Sequence, residues 1–263
     1  MAAFKLLAVA AITSMVHATN HPAGKRGLGS NDGLDLSGFE SAGPIKMGWQ
    51  YNWDSNIGGN KLSTVEYVPM LHSLHDDHEK VWADRASKWL EQGTGHLLGF
   101  NEPEQPLPQA AMSVADALGA PSVSNDGWDW ITQFMDQCQG CHVDFIPIHW
   151  YNPFSLGHDF ENWVRRVCGL GKPVWITEVS ILFSAGIVCE KKHVATDRYL
   201  QQFKGMGGSS QDELAFLQQA MAFLEGNACV QRYAYFGTAN NDMSLLSNEQ
   251  SRLSELGHHY ALD

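Results

Sequence analysis

Short apolar runs recur along the chain with polar, helix-spaced stretches between them. The runs are "KRGLGSN" (25–31), "IKMGWQYNW" (45–53), "VEYVPML" (65–71), "HLLGFNE" (96–102), "APSVSN" (120–125), "VDFIPIHWY" (143–151), "KPVWITE" (172–178) and "QRYAYFG" (231–237). Each is strand-length, and the segments 78–93, 129–138, 159–170 and 210–226 carry apolar residues at helical spacing, the last opening at Ser210 with an acidic first turn. Strands alternating with helices predict a parallel sheet, and eight of them predict a closed (β/α)8 barrel. No linker or low-complexity tract divides the chain, so residues 19–263 read as one domain.

The first eighteen residues break this pattern. "MAAFKLLAVAAITSMVHA" has one early lysine, a short apolar stretch and small residues near its end, which predicts a secretory signal cleaved after Ala18. No later run is long enough for a membrane span. The expected product is secreted, to the medium or the cell wall, and works as a monomer. The net charge of −12 becomes more negative once Lys5 is removed, which argues against nucleic-acid partners. Five cysteines in such a chain predict one or two disulfides and a leftover thiol, with connectivity open; "CQGC" lacks the helix-opening context of a redox motif.

Chemistry concentrates where strands end. In "LLGFNEPE" an apolar strand stem runs into Asn101 and Glu102 and is stopped by Pro103; in "KPVWITE" a second strand ends on Glu178. In a barrel, the C-terminal ends of strands four and seven face one another across the mouth, so the two carboxylates would flank one bond. Nine tryptophans supply indole faces that stack on sugar rings, and Trp49, Trp53 and Trp150 lie at or near strand ends, with Tyr235 or Phe236 closing the eighth.

Taken in order, "GWQYNW", "VEYVPML", "LLGFNEPE", "VDFIPIHWY", "KPVWITE" and "QRYAYFG" resemble glycoside hydrolase family 128 of clan A, the mostly fungal endo-β-1,3-glucanases with an Asl1-like catalytic core. The resemblance covers nearly the whole mature chain. It implies a retaining hydrolase of β-1,3-glucan with Glu102 as general acid/base and Glu178 as nucleophile, a pair that must hold different protonation states about 5 to 5.5 Å apart. It also implies that Asn101 bonds the sugar 2-hydroxyl and that Tyr151 donates to the nucleophile. His149 is expected either to bond sugar or to lie in the barrel interior. No cofactor and no metal is expected. Two alternatives keep the fold: a non-catalytic glucan-binding protein, and a β-glucan transglycosylase.

Two departures from the family stand out. The crossover after Glu102 is short, with Pro106 and Pro108 barring an early helix, and residues 181–210 form an extra segment without clear period. The extra segment is read either as a substrate-binding excursion or, together with the short crossover, as a paired gene-model error, which would remove Cys189 and leave an even cysteine count. His72, His75 and His78 lie three apart beside acidic residues, without the His-x-x-x-His spacing of a helical zinc site, and are read as a solvated helix start.

Overall fold

A computed structural model of the protein describes residues 24–59, 61–117, 120–138, 140–153, 156–181, 209–239, 244–247 and 252–263. The predicted leader, Cys189 and nearly all of 181–210 lie outside the described residues. Six strands form one sheet: β1 (Arg26–Gly29), β2 (Met47–Tyr51), β3 (Glu66–Tyr67), β4 (Ile146–Asn152), β5 (Val174–Ile181) and β6 (Val230–Tyr235), in the order β3-β2-β1-β6-β5-β4. Every adjacent pair is parallel.

The two remaining apolar runs close the ring through single parallel bridges. Met70 pairs with Leu98, Asn101 with Ser122, and Val123 with Ile148. Backbone bonds follow the same path: the N–H of Leu98 donates to Pro69 O at 3.0 Å, that of Ser122 to Phe100 O at 2.8 Å, and that of His149 to Val123 O at 2.8 Å. Pro69 and Pro121 remove ladder donors here, which is why these segments pair at points rather than along strands. Gly99 lets them approach closely, since a Cβ there would meet Ala120 O at 2.7 Å. All eight runs therefore follow one another around a parallel barrel.

Among the described residues six helices accompany the strands: α1 (Ser37–Ser41), α2 (Asp76–Glu91), α3 (Trp128–Gln137), α4 (Gly157–Cys168), α5 (Ser210–Gly226) and α6 (Glu255–Leu262). The four predicted from spacing all form, with ends shifted by two residues at most. The cap of α5 is Ser209 rather than Ser210; its side chain and that of Asp212 each accept the other's backbone N–H. The crossover after Glu102, like that between β2 and β3, holds no α-helix among the described residues. Its described residues hold only a 3-10 turn at Val114–Asp116.

Strand alternation sorts the core into two clusters. Ile146, Ile148, Trp150, Val174, Ile176, Val179, Tyr233 and Tyr235 pack outward against Phe160, Phe216 and Tyr260 of the helices. Trp49, Tyr51, Val68, Met70, Leu98, Trp175 and Ala234 fill the barrel interior. Gly27 makes room for this filling, because a Cβ there would stand 2.1 Å from the Trp49 ring. Two disulfides add to it. Cys138–Cys141 closes a turn after α3, and Cys168–Cys229 ties the end of α4 to the approach of β6 across 61 residues, a loop whose closure contributes about 4 kcal/mol in the chain-entropy account.

Candidate active site

On β4 the side chains alternate strictly. Ile148 and Trp150 join the outer core, so His149 and Tyr151 turn to the interior. On β5 alternation alone would send Glu178 the wrong way, since Ile176 faces outward. A bulge corrects it. Ile148 pairs with Ile176 but the next residue, His149, pairs with Glu178, and on the other side Tyr233 pairs with Ile176 while Tyr235 pairs with Val179. The extra residue aims Glu178 at His149 and returns Val179 to the outer face.

Glu102 reaches the same point from the fourth segment. Its N–H donates to Ser122 O at 2.7 Å, and its φ of 43° lies in the left-handed region that a side chain normally avoids. Trp53 has the same feature, φ 61°. Strained backbone at two residues flanking one cleft fits a site whose side chains are held where the chemistry needs them.

The fully buried His149 stands between the carboxylates. Its Nδ1 lies 2.8 Å from Glu102 Oε1 and its Nε2 lies 3.2 Å from Glu178 Oε1. The first contact is a directed hydrogen bond. The second is close but badly aligned, leaving Nε2 without a hydrogen-bond partner, so it acts as a charge contact. One oxygen of each glutamate and one ring nitrogen all lie within 4.8 Å of one another. Two donors then address Glu178: Trp53 Nε1–H to Oε1 at 2.7 Å and the Tyr151 hydroxyl to Oε2. Such a donor set also has the make-up of a cation site, with His149, Trp53 and Tyr151 each making one contact to its carboxylate oxygens.

Burial pushes the Glu178 carboxyl above its ordinary value, and the charge of Glu102 adds to the push, against the pull of His149, Tyr151 and Trp53. Burial disfavours the imidazolium of His149, but Glu178 and Glu102 together outweigh it and raise the ring's pKa. The Tyr151 hydroxyl is pushed well up by burial and by Glu178, so it stays a donor.

Asn101 precedes Glu102, with its Nδ2 committed to Gln109 Oε1 at 2.7 Å and its Oδ1 buried without a partner. Phe236 meets Trp53 and Tyr151 edge-on at 5.8 and 5.4 Å, forming an aromatic wall beside Glu178. Three stacking candidates are corrected. Trp49 and Trp150 are 0% exposed and Tyr235 is 1% exposed, so none has a ring face for sugar. Trp49 packs on Tyr51 and Trp175 inside the barrel, Trp150 stacks on Phe216, and the Tyr235 hydroxyl donates to Glu213. Trp53 remains at the site, but its indole N–H serves Glu178, a role that stacking arguments do not anticipate.

The three histidines divide. His75 occupies the N-cap position of α2 without a side-chain capping bond, His78 Nδ1 pairs with Ser73 Oγ at 2.7 Å, and His72 follows the third run, its carbonyl accepting the Asn101 N–H at 3.0 Å and burial bringing its pKa down to about 4.

Comparison with known proteins bears on the family and the fold. The family described as "Glycosyl hydrolase catalytic core" matches residues 27–119 and 117–260. A GH128 subgroup III curdlan-specific exo-β-1,3-glucanase from Blastomyces gilchristii, solved with glucose, superposes with a TM-score of 0.72 at 27% identity, covering 93% of this chain and 100% of that one. A mutant GH128 subgroup I endo-β-1,3-glucanase from Amycolatopsis mediterranei, solved with laminarihexaose, gives 0.69 at 26% identity over 90% and 98% of the two chains. Alkali-sensitive linkage protein 1 of Schizosaccharomyces pombe is 29% identical over 90% of this chain, which spans only 44% of that relative's length. Barrel, paired carboxylates and sequence together put the chain in one place: it belongs to the glycosyl hydrolase catalytic core family, with the GH128 β-1,3-glucanases as its structural relatives.

Proposed function

We propose that this protein cleaves β-1,3-glucan internally with retention of configuration. The observation that carries the reading is the carboxylate pair, one oxygen of each within 4.8 Å, with two hydrogen-bond donors on Glu178. That spacing supports a double displacement, since an inverting pair stands farther apart to admit water.

Glu178 attacks the anomeric carbon as the carboxylate, kept oriented by Trp53 and Tyr151, while Glu102 gives its proton to the departing glycosidic oxygen. A covalent glycosyl-enzyme forms. Glu102, now ionised, takes a proton from water, and the resulting hydroxide equivalent releases the sugar. His149 lies between the two and balances part of their charge in each state. Asn101 Oδ1 is suited to a sugar hydroxyl, and the exposed parts of Trp53 and Phe236 to a ring face. The two disulfides support action outside the cell.

Azide tests the roles. With an activated aryl β-glycoside of a laminari-oligosaccharide, Glu102→Ala with azide is expected to yield the β-glycosyl azide, because azide attacks the intermediate without needing a base. Glu178→Ala is expected to yield the α-azide by direct attack. The same anomer from both variants contradicts the assignment. Product lengths from laminarin separate internal from terminal cleavage, a distinction on which the two structural relatives named above differ.

A further inference from the structure

No α-helix among the described residues supports the turn that carries Glu102. A groove of about 750 Å3 lies between this turn and α3, lined by Pro103, Pro106, Met112, Val114 and Trp130 among others. Yet Glu102 is held at φ 43°, a state that costs a non-glycine residue about 1 kcal/mol or more and persists only where its surroundings enforce it. Backbone bonds enforce part of it: the N–H groups of Ala110 and Met112 reach back to Asn101 O and Pro103 O, each at 2.9 Å.

The side chains after the acid add a second hold. Glu104 Oε1 accepts the backbone N–H of Ser124 at 2.6 Å, and Gln105 Nε2 donates to Ser124 Oγ at 3.0 Å. Ser124 follows Val123, which bridges to β4 next to His149. The clasp therefore joins the acid's turn to the segment that abuts the histidine. Glu104 Oε2 is buried without a hydrogen-bond partner, and a carboxyl kept this way carries a desolvation cost that a solvated turn residue would avoid.

We propose that Glu104 is a positioning residue: its carboxylate clasps the Ser124 amide and so fixes the turn that presents Glu102 to the cleft. The role of Glu102 rests on the hydrolase reading above; the clasp itself does not. Glu104→Gln keeps an accepting oxygen and removes the charge, whereas Glu104→Ala removes both. On laminarin, Glu104→Ala is expected to lower kcat about 10- to 100-fold with KM changed by less than about twofold, as a displaced catalytic group does. Glu104→Gln should recover kcat to within about threefold of the unmutated protein. Equal losses in the two variants overturn the clasp, and so does an undiminished Glu104→Ala. Amide hydrogen exchange at Ser124 reads the clasp without activity: slow exchange is expected in the unmutated protein, and free exchange overturns the proposal even if Glu104→Ala fails to fold. A protected Ser124 in a protein inactive on laminarin defeats the hydrolase reading and leaves the clasp intact.

Discussion

The barrel buries a charged cluster at each end, and the two are built from similar parts. At the N-terminal end of the strands, Glu66 receives Arg232 Nη2 at 2.6 Å, His96 Nδ1 at 3.0 Å and the Gly95 N–H at 2.8 Å. At the C-terminal end, Glu178 receives Trp53, Tyr151 and the charge of His149. Both glutamates are buried and both have donors. Burial raises both, but at Glu66 the bond from His96 and the charge of Arg232 win and hold the carboxyl down to about 2, whereas at Glu178 burial and the second carboxylate win. Donor count does not separate them; charge balance does. One carboxylate against a guanidinium and an imidazole makes a lock, while two carboxylates around one imidazole leave a group poised to react.

The largest difference expected between the ends is in which property a conservative change destroys. Glu178→Gln should lower turnover of laminarin by about 10⁴-fold or more, with a melting temperature no lower than that of the unmutated protein, because neutralisation relieves an excess of buried negative charge. Glu66→Gln should do the reverse. It strands the Arg232 guanidinium in the interior, at a cost of about 3–5 kcal/mol, while kcat per folded molecule stays unchanged. Chemical denaturation and active-site titration on both variants decide it: lost activity in a well-folded Glu66→Gln would abolish the distinction.

Acid sharpens the comparison next. Glu66 is depressed from 4.5 to about 2, so the folded state holds its proton less tightly than the unfolded chain. Its contribution is complete above about pH 4.5, amounts to about 3 kcal/mol, and disappears as pH falls towards 2. Unfolding free energy measured across that window should fall steeply in the unmutated protein. In Glu66→Gln it should fall less, and equal slopes would remove Glu66 as the source.

Much of this architecture was legible in the chain. The eight runs and the glutamates ending two of them follow from period and punctuation, because a strand that must be buried declares itself in apolar residues. The aromatic platform did not follow. In "IPIHWY" the residues His149, Trp150 and Tyr151 cannot all face the cleft, since alternate side chains leave a strand on opposite sides; Trp150 faces the helices, as Tyr235 does beside Ala234. Trp49 has the right side but the wrong depth, and depth in a lumen is set by barrel stagger, which no local pattern carries. The bulge that turns Glu178 inward depends on both neighbouring strands. Glu104 was visible in the quoted motif all along, but its partner Ser124 is twenty residues away.

The smallest effect expected is the most specific to the reactive end. The proposed mechanism requires Glu178 ionised, and burial has already raised its pKa, so the acid limb of kcat/KM should lie above the ordinary carboxylate value of about 4.3. Trp53 and Tyr151 both stabilise the ionised form through hydrogen bonds. Removing either donor raises the pKa further, because the neutral carboxyl loses less than the carboxylate does. Trp53→Phe and Tyr151→Phe should each move the acid limb to higher pH by about one unit, the shift that loss of a hydrogen bond to a charged group produces. At the other end, His96→Ala removes a donor from Glu66 and should leave this limb in place while weakening the fold in acid. A limb that moves to lower pH in Tyr151→Phe would show that the titrating group is not Glu178, and one that moves in His96→Ala would show that the two clusters are not independent.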